Sequence, residues 1–215
     1  MKIEALHQFH DKIFSEEWSN KFKPTPERIE FFQMIMNNLR KENNQSLSIL
    51  ELGIGPGYMA EHILSNCKDV IYEGLDFSEA MIEIAKERLQ SISKRIQFTQ
   101  TDLTDHTWIK QVKTKPQNII STWALHDLLN NPNISTVYKL AYKLLPQNAR
   151  LINDDFIKPE NSIFEYEKGR IKPSEHIELL NQCGFKKVEC LKIFEVNEDN
   201  PTTSNNYACF VANNQ

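Results

Sequence analysis

Cysteine motifs are absent from this sequence. Its four cysteines, at positions 67, 183, 190 and 209, form no CxxC pair and have no histidines at the spacing of a zinc site. Cysteines that belong to neither a disulfide framework nor a zinc site are usually small buried thiols in a reducing compartment, so we expect a cytoplasmic protein. The same absence argues against a bound metal ion.

Long apolar runs and an excess of positive charge are also absent. No apolar stretch reaches the roughly 18 residues that a membrane span needs, and the first residues, MKIEALHQFHDKIFSEEW, are too charged for a secretory signal. Lysine and arginine number 25 against 29 aspartates and glutamates, a net charge of −4. We therefore expect no membrane and no nucleic acid as a partner.

Glycine is scarce, and its distribution is uneven. The 215 residues include six glycines, and three of them, Gly53, Gly55 and Gly57, fall within five positions. An apolar run precedes them and a helix-like segment follows, in ILELGIGPGYMAEHI (49–63). Glycine permits positive φ angles and close approach of the backbone to a ligand, so this stretch predicts a strand, a tight turn and a helix that bind a ligand.

The remainder of the chain alternates between strand and helix patterns. Apolar runs predict strands after the glycine turn at 70–78, 95–100, 117–122 and 149–156, and two more near the end, FKKVECLKIFEV and NNYACFVAN. Helices are predicted between them, including a short one around 104–112 and one at 174–183. This order predicts an α/β fold: a Rossmann-like, seven-stranded, mostly parallel sheet with helices on both faces and one antiparallel edge strand.

We expect one domain, 1–215, with a Rossmann-like core at 46–215. Residues 1–45 read as two helices separated by Pro24 and Pro26, with Thr25 capping the second. They are interpreted either as helices that cover the core or as a lid over an active site, and both roles are compatible. The polar connection 157–173 is expected on the substrate side.

Polar residues follow successive strands, where open α/β sheets bind their ligands. Asp76 ends the second strand, about 20 residues past the glycines, where a carboxylate grips a ribose diol. Asp102 follows the third strand and Thr122 ends the fourth. The glycine spacing is GxGxG and lacks the third glycine of the GxGxxG dinucleotide motif; no GxxxxGK[ST] triphosphate loop is present.

These blocks resemble the class I S-adenosylmethionine-dependent methyltransferases, on the small-molecule side of that family. The residues responsible are ELGIGPG (51–57), LDFSEAM (75–81), TDL (101–103) and STWALHD (121–127). The resemblance implies S-adenosylmethionine as methyl donor and S-adenosylhomocysteine as product. It implies a cofactor site made of Glu51, Gly53, Gly55, Gly57, Asp76, Phe77, Asp102, Leu103 and Thr122.

The chemistry needs an aligned nucleophile, and a base where that nucleophile arrives protonated. His126 and Asp127 are the best-placed catalytic candidates, although His126 is as readily a structural histidine bonded to backbone. Asp127 or the Asp154–Asp155 pair would steer a cationic substrate, unless the pair is an exposed loop feature. Further substrate-side candidates are Trp123 and Tyr166.

We expect a small-molecule metabolite methylated on nitrogen or oxygen, and the acidic strand ends favour an amine or guanidine-type nitrogen. No metal is expected, because adjacent strand residues such as Asp154 and Asp155 point to opposite faces. Two alternatives stay open: a dinucleotide-dependent oxidoreductase, and a methyltransferase-like binding or adaptor subunit without catalysis. The chain is expected to be a monomer or homodimer.

Overall fold

The structure is a computed structural model, which describes residues 8–41, 46–194 and 206–215. The sequence also predicts that Leu6 contributes an apolar side chain to the first helical segment, and that a polar turn around Asn200 and Pro201 separates the last two strands. Both positions lie outside the described residues.

A seven-stranded sheet forms the centre of the molecule, in the order β3-β2-β1-β4-β5-β7-β6. Its strands are β1 (Leu47–Leu52), β2 (Val70–Asp76), β3 (Ile96–Gln100), β4 (Asn118–Thr122), β5 (Arg150–Phe156), β6 (Lys186–Phe194) and β7 (Tyr207–Asn213). β1 to β5 pair in parallel, and β7 is antiparallel to β5 and β6. The predicted fold class is confirmed, with the antiparallel strand one place in from the edge.

Six α-helices connect or flank these strands in the described part of the chain. They are α1 (Lys12–Lys21), α2 (Pro26–Asn38), α3 (Tyr58–Asn66), α4 (Glu79–Arg88), α5 (Asn131–Leu144) and α6 (Pro173–Gln182). Ser78 caps α4 by accepting a hydrogen bond from Met81 N, and Thr25 caps α2 by accepting one from Arg28 N. Both caps follow the sequence pattern.

The short helix predicted at 104–112 is wrong in extent, because only a 3₁₀ turn at Trp108–Lys110 forms there. Asp102 Oδ1 accepts hydrogen bonds from the backbone N–H and hydroxyl of Thr104 at 2.8 Å. Asp105 Oδ1 accepts the same pair from Thr107 at 2.9 and 2.8 Å. Such local side-chain bonds compete with helix formation, which explains the interrupted segment.

The core lies on both faces of the sheet, as strand alternation requires. Leu50 and Leu52 of β1 face a cluster with α5 and α6. Ile49, the residue before Leu50, faces the other cluster, which includes α2 and α3. Phe31, Phe32 and Ile35 of α2 are fully buried there or nearly so, so α2 is part of the core layer.

The first helix has a different position, above the carboxyl ends of the parallel strands. Phe9, in a 3₁₀ turn before α1, accepts a hydrogen bond through its carbonyl from the Ser78 hydroxyl at the start of α4. Ser19 O of α1 accepts one from the Tyr58 hydroxyl at the start of α3, at 2.8 Å. The two N-terminal helices therefore pack differently: α2 lies in the core layer, and the α1 segment contacts the starts of α3 and α4. The lid role stays a prediction.

Candidate active site

A cavity of 640 Å³ opens at the carboxyl ends of the parallel strands. This volume is within the range of small-molecule and cofactor sites. The glycine turn, the end of β2, the segment after β4 and the 157–173 connection line it together with the N-terminal helices. Its lining includes Phe9, Trp18, Lys21, Phe22, Arg28, Gly53, Gly55, Asp76, Phe77, Thr101, Leu103, Thr122, Trp123, His126, Asp127, Phe156, Glu167 and Arg170.

The glycine turn borders the cavity with its backbone. Gly53 has φ +71°, and a Cβ there would lie 2.4 Å from the Cβ of Ala124. Gly55 has φ +51°, yet a Cβ there would meet no atom within 4 Å. Gly53 is therefore needed for packing, whereas Gly55 leaves open space in the cavity for a ligand.

Asp76, at the end of β2, joins the turn to the next helix. Its Oδ2 accepts a hydrogen bond from Gly55 N at 2.8 Å, and its Oδ1 accepts one from Ser78 N at 2.9 Å. Burial raises the pKa of this carboxyl to about 6, although the backbone hydrogen bonds lower it. The backbone of Phe77 also acts on this carboxyl, and a carboxylate, which has about four lone-pair sites, can still accept from a further donor.

Glu51 lies beneath the turn and is fully buried. Its Oε2 accepts a hydrogen bond from the Tyr72 hydroxyl at 2.7 Å, and its Oε1 accepts one from the Thr122 hydroxyl at 3.4 Å. Burial raises the pKa of Glu51 to about 8, although the two hydrogen bonds lower it. The carboxyl is therefore mostly protonated at neutral pH. Glu51 is absent from the residues that line the cavity, and its role in orienting the loop or the cofactor amine stays a prediction.

Phe77, Thr101 and Leu103 line the part of the cavity beside β2 and β3. The ring of Phe77 contacts that of His10 edge-on, with 5.1 Å between centroids. Asp102 lies between Thr101 and Leu103, and its Oδ1 accepts from Thr104 as described above. The Thr101 hydroxyl is buried and has no hydrogen-bond partner in the described structure.

His126, in the 3₁₀ turn after β4, is held by Asp155 of β5. Its Nδ1 lies 2.7 Å from Asp155 Oδ1, and its backbone N donates to Asp155 Oδ2 at 3.0 Å. Its Nε2 is 3.5 Å from Oδ1 of the half-exposed Asp127. Burial disfavours the imidazolium, but the charges of Asp127 and Asp155 outweigh it, so the pKa of His126 is raised.

Asp154 and Asp155 point to opposite faces of β5, as the alternation of a strand predicts. Both are fully buried, so their interpretation as exposed loop residues is wrong. Asp155 contacts His126, whereas both carboxylate oxygens of Asp154 have no hydrogen-bond partner in the described structure. Burial and the charge of Asp155 raise the pKa of Asp154 well above its usual range.

The connection 157–173 packs tightly against the segment after β4. A Cβ at Gly169 would lie 1.6 Å from the carbonyl oxygen of His126, so a larger residue would force the two segments apart. Arg170 lies over the ring of Phe156 at 4.6 Å and donates to Glu167 at 2.8 Å. Glu167 and Arg170 line the cavity, whereas Tyr166 is placed outside its lining and its hydroxyl accepts from Ser162 at 3.5 Å.

The sequence patterns did not indicate the lining residues of the N-terminal segment, Phe9, Trp18, Lys21, Phe22 and Arg28. A signal for Arg28 was present, because it occupies the same helical face as Phe31, Phe32 and Ile35. An arginine on an apolar stripe is unusual and marks a buried charge. The aromatic residues Phe9, Trp18 and Phe22 indicated that the first helix packs over the domain, but not that they line this cavity, and Lys21 gave no signal.

Metal-binding clusters and membrane-spanning helices are both absent from the described residues. Among residues 8–41, 46–194 and 206–215, no three histidine, cysteine or acidic side chains are grouped to hold a metal ion. No described helix is both long and apolar enough for a membrane crossing. The expectations of no metal and no membrane partner stay predictions.

Comparison with known proteins finds methyltransferases. Residues 49–148 match the model described as a methyltransferase domain. A CurJ carbon methyltransferase structure superposes with a TM-score of 0.72 and 14% identity, over 97% of this chain and 59% of that one. Phosphoethanolamine N-methyltransferase 2 of Haemonchus contortus, in complex with S-adenosyl-L-methionine, gives a TM-score of 0.72 and 13% identity, over 96% and 58%.

Residues 49–148 thus match a methyltransferase domain, and the chain has the fold of these methyltransferase structures. The predicted fold class is confirmed. Two curated relatives match over shorter segments. An uncharacterized methyltransferase of Bacillus subtilis is 45% identical over 49 residues, which is 23% of this chain and 27% of the relative. Malonyl-[acyl-carrier protein] O-methyltransferase of Brevibacillus brevis is 33% identical over 72 residues, 34% of this chain and 26% of the relative. These matches thus span about a quarter of each relative.

Proposed function

We propose that the chain binds S-adenosylmethionine in this cavity and transfers its methyl group to nitrogen or oxygen of a small molecule. The observation that carries the proposal is Asp76, which is buried at the end of β2, is bonded to Gly55 N and lines the cavity. We divide the lining into two halves. The cofactor half consists of Gly53, Gly55, Asp76, Phe77, Thr101 and Leu103. The acceptor half consists of Arg28, Trp123, His126, Phe156 and Arg170.

The residues of the cofactor half fit such a donor. Gly55 leaves open space, so a methionyl chain and ribose meet no side chain there. Asp76 lines the cavity as an acceptor for ribose hydroxyls, since its carboxylate retains acceptor capacity beyond its backbone hydrogen bonds. The apolar side chains of Phe77 and Leu103 would contact the adenine, and the unpartnered Thr101 hydroxyl is a polar group beside them.

Glu51 and Thr122 are hydrogen-bonded to each other next to the cofactor half. Glu51 accepts from Thr122 at 3.4 Å and is mostly neutral at pH 7. A neutral carboxyl does not repel the acid at Asp76, whose charge raises the pKa of Glu51. We assign it to the support of the turn, in preference to direct contact with the cofactor amine.

S-adenosylmethionine, when bound, supplies an electrophilic methyl group on a sulfonium. The chain itself must exclude water and deprotonate an acceptor that arrives protonated. His126 is suited to the deprotonation, because Asp155 accepts from Nδ1–H and this leaves Nε2 as the basic nitrogen. Asp155 is thus a positioning residue that fixes the ring and its tautomer.

The acceptor atom is not decided by the fold, because the proteins compared above are, by name, carbon, nitrogen and oxygen methyltransferases. The preference for an amine or guanidine-type nitrogen stays a prediction, and fewer of the acidic residues on which it was based can contact the acceptor. Asp154 lies outside the cavity lining and Asp155 is bonded to His126. Asp127 remains as the acid that would attract a cationic nitrogen.

Ligand binding tests the proposal directly. S-adenosylhomocysteine and S-adenosylmethionine should raise the melting temperature and give a calorimetric binding signal, whereas NADH should give neither. Asp76→Ala should abolish binding, and Asp76→Asn, which retains one acceptor oxygen, should weaken it less. Binding of NADH alone would support the oxidoreductase alternative instead.

Catalysis needs a second measurement. A mass-spectrometric screen of amines, phenols and carboxylates should find a product heavier by one methyl group, together with S-adenosylhomocysteine. Binding of the cofactor without turnover of any acceptor would favour the adaptor alternative. The cytoplasmic location and the monomeric or homodimeric state stay predictions.

A further inference from the structure

The acceptor half contains a buried arginine, Arg28, three residues into α2. Only 9% of the surface of Arg28 is exposed to solvent. The guanidinium carbon lies 4.6 Å from the ring centroid of Trp123 and 5.8 Å from that of Phe22. Nη1 donates to the carbonyl oxygen of Phe22 at 3.3 Å. These contacts fix the guanidinium at the wall of the cavity.

The positive charge of Arg28 has no ion-pair partner in the part of the chain that the structure describes. No described carboxylate oxygen lies within 4.0 Å of its guanidinium nitrogens. The other cationic residues of the lining differ. Arg170 is bonded to Glu167 at 2.8 Å, and Lys21 is exposed to solvent. Among the described residues, Arg28 is therefore the lining cation that is both desolvated and uncompensated.

Tyr207 and Asp154 are the acidic groups whose charges act on Arg28, and neither carboxylate oxygen of Asp154 forms an ion pair or a hydrogen bond with it. Burial raises the pKa of Asp154 well above its usual range, and the nearby charge of Asp155 raises it further. Burial lowers the pKa of Arg28, and an arginine nevertheless keeps its charge at neutral pH. A buried, unpaired guanidinium is costly, and an anion from the cavity would remove this cost.

We propose that Arg28 binds an anionic group of the methyl acceptor, a carboxylate or a phosphate. The inference rests on the proposed function and narrows it to acceptors that carry a negative charge. The planar guanidinium matches both groups through paired N–H donors. Arg28 and His126 line the same cavity, and Arg28 lies over Trp123, three positions before His126 in the chain. One acceptor would therefore meet the base and the arginine together.

Binding of simple anions tests the assignment. The probes are benzoate and phenyl phosphate, with benzamide and phenol as uncharged counterparts, titrated with and without saturating S-adenosylhomocysteine. We expect at least one anion to bind with a Kd near or below about 1 mM. It should bind about tenfold more tightly than its counterpart, and Arg28→Gln should remove that difference.

Two variants serve as controls. Lys12→Gln removes an exposed charge that pairs with Glu83 at 3.7 Å, outside the cavity lining, and should leave anion binding unchanged. Arg28→Lys keeps the charge and loses the paired donors, so its affinity should fall about threefold or more. If Arg28→Gln does not fold by circular dichroism, Arg28→Lys carries the test, and unchanged affinity in that variant overturns the assignment.

The outcomes separate this inference from the proposed function. Equal binding of the anions to the wild type and Arg28→Gln, or no preference for the anions over their counterparts, overturns the assignment of Arg28. S-adenosylhomocysteine binding is measured in the same samples. Its failure refutes the proposed function even where the anions bind, and its success without anion discrimination refutes the Arg28 assignment alone.

Discussion

The cofactor half and the acceptor half of the cavity are built in different ways. The cofactor half uses the ends of neighbouring strands, and its main contacts are backbone groups and one carboxylate, such as Gly55 N on Asp76 at 2.8 Å. The acceptor half uses side chains from segments far apart in the chain. Arg28 of α2 lies over Trp123 after β4, and Arg170 lies over Phe156 of β5.

This difference explains which residues a sequence reveals. A positive φ angle and a strand end are local properties, so glycines and acids at fixed spacing indicate them. A side-chain contact between distant segments depends on tertiary packing. The two halves should therefore respond to mutation in distinct ways.

The largest effect is expected in the acceptor half, from His126→Gln. If Nε2 is the base, the variant should lose about 10²- to 10⁴-fold in kcat, with the affinity for S-adenosylhomocysteine unchanged. Methyl transfer to the acceptor found in the screen measures it. An unchanged kcat would show that His126 is structural.

The pH profile of kcat is the matching control. The neutral imidazole is the active form, so activity should fall as pH decreases through the His126 pKa, which lies above its usual 6.5. Asp155→Asn removes an anion that raises this pKa, and the acid limb should move to lower pH. An acid limb that stays in place would contradict the pairing.

The next effect is expected in the cofactor half, from Gly53→Ala. The variant places a Cβ 2.4 Å from the Cβ of Ala124 at φ +71°, which should cost about 2–4 kcal/mol of unfolding free energy. Gly55→Ala, at φ +51° and without a clash, should cost about 1–2 kcal/mol. It should nevertheless lose affinity for S-adenosylhomocysteine, because its methyl group enters the cofactor space.

Urea denaturation and calorimetry on the two glycine variants separate packing from ligand contact. Equal losses of stability would contradict the role of Gly53 in packing. Full affinity for S-adenosylhomocysteine in Gly55→Ala would show that the cofactor does not approach this residue.

The smallest effect is expected beneath the cofactor half, from Glu51→Gln. The pKa of Glu51 is about 8 in the folded chain, against a usual 4.5. The folded state thus holds a proton that the unfolded state releases, so this group's contribution to stability decreases as pH rises from about 4.5 to 8. The glutamine variant should show a flatter dependence, by about 1 kcal/mol or more between pH 5 and 8.

Denaturation of the wild type and Glu51→Gln at several pH values measures this difference. Asp76 and Asp154 also have raised pKa values and contribute slopes of the same sign. They are present in both proteins, so their slopes cancel in the comparison. Parallel curves for the two proteins would show that Glu51 is ionised in the folded chain.

Most of the fold followed from the sequence because alternation of apolar runs and caps is a local pattern. The end of β2 at Asp76 and the cap at Ser78 lie where the pattern placed them. The helix expected near 104–112 does not form, because the side chains of Asp102 and Asp105 bond to the backbone and make local turns. The spacing of apolar residues does not predict such turns. The pairing of β7 between β5 and β6 was likewise set by tertiary contacts.

The candidate site was predictable only where it is made of strand ends. Asp76, Gly53 and Gly55 line the cavity, and their roles came from spacing. Asp154 and Tyr166 were chosen for their position in the chain, and the structure places both outside the lining. For Arg28 the sequence shows only that a charged residue lies on an apolar helical face. The aromatic rings that contact it, those of Phe22 and Trp123, come from two other segments.

A crystal structure with S-adenosylhomocysteine is the most direct test of the proposed cofactor site. We predict the two ribose hydroxyls on the Asp76 carboxylate and the adenine between Phe77 and Leu103. We also predict that the sulfur is directed towards the acceptor half. A ligand bound elsewhere, or one whose ribose makes no hydrogen bond to Asp76, would contradict the proposal.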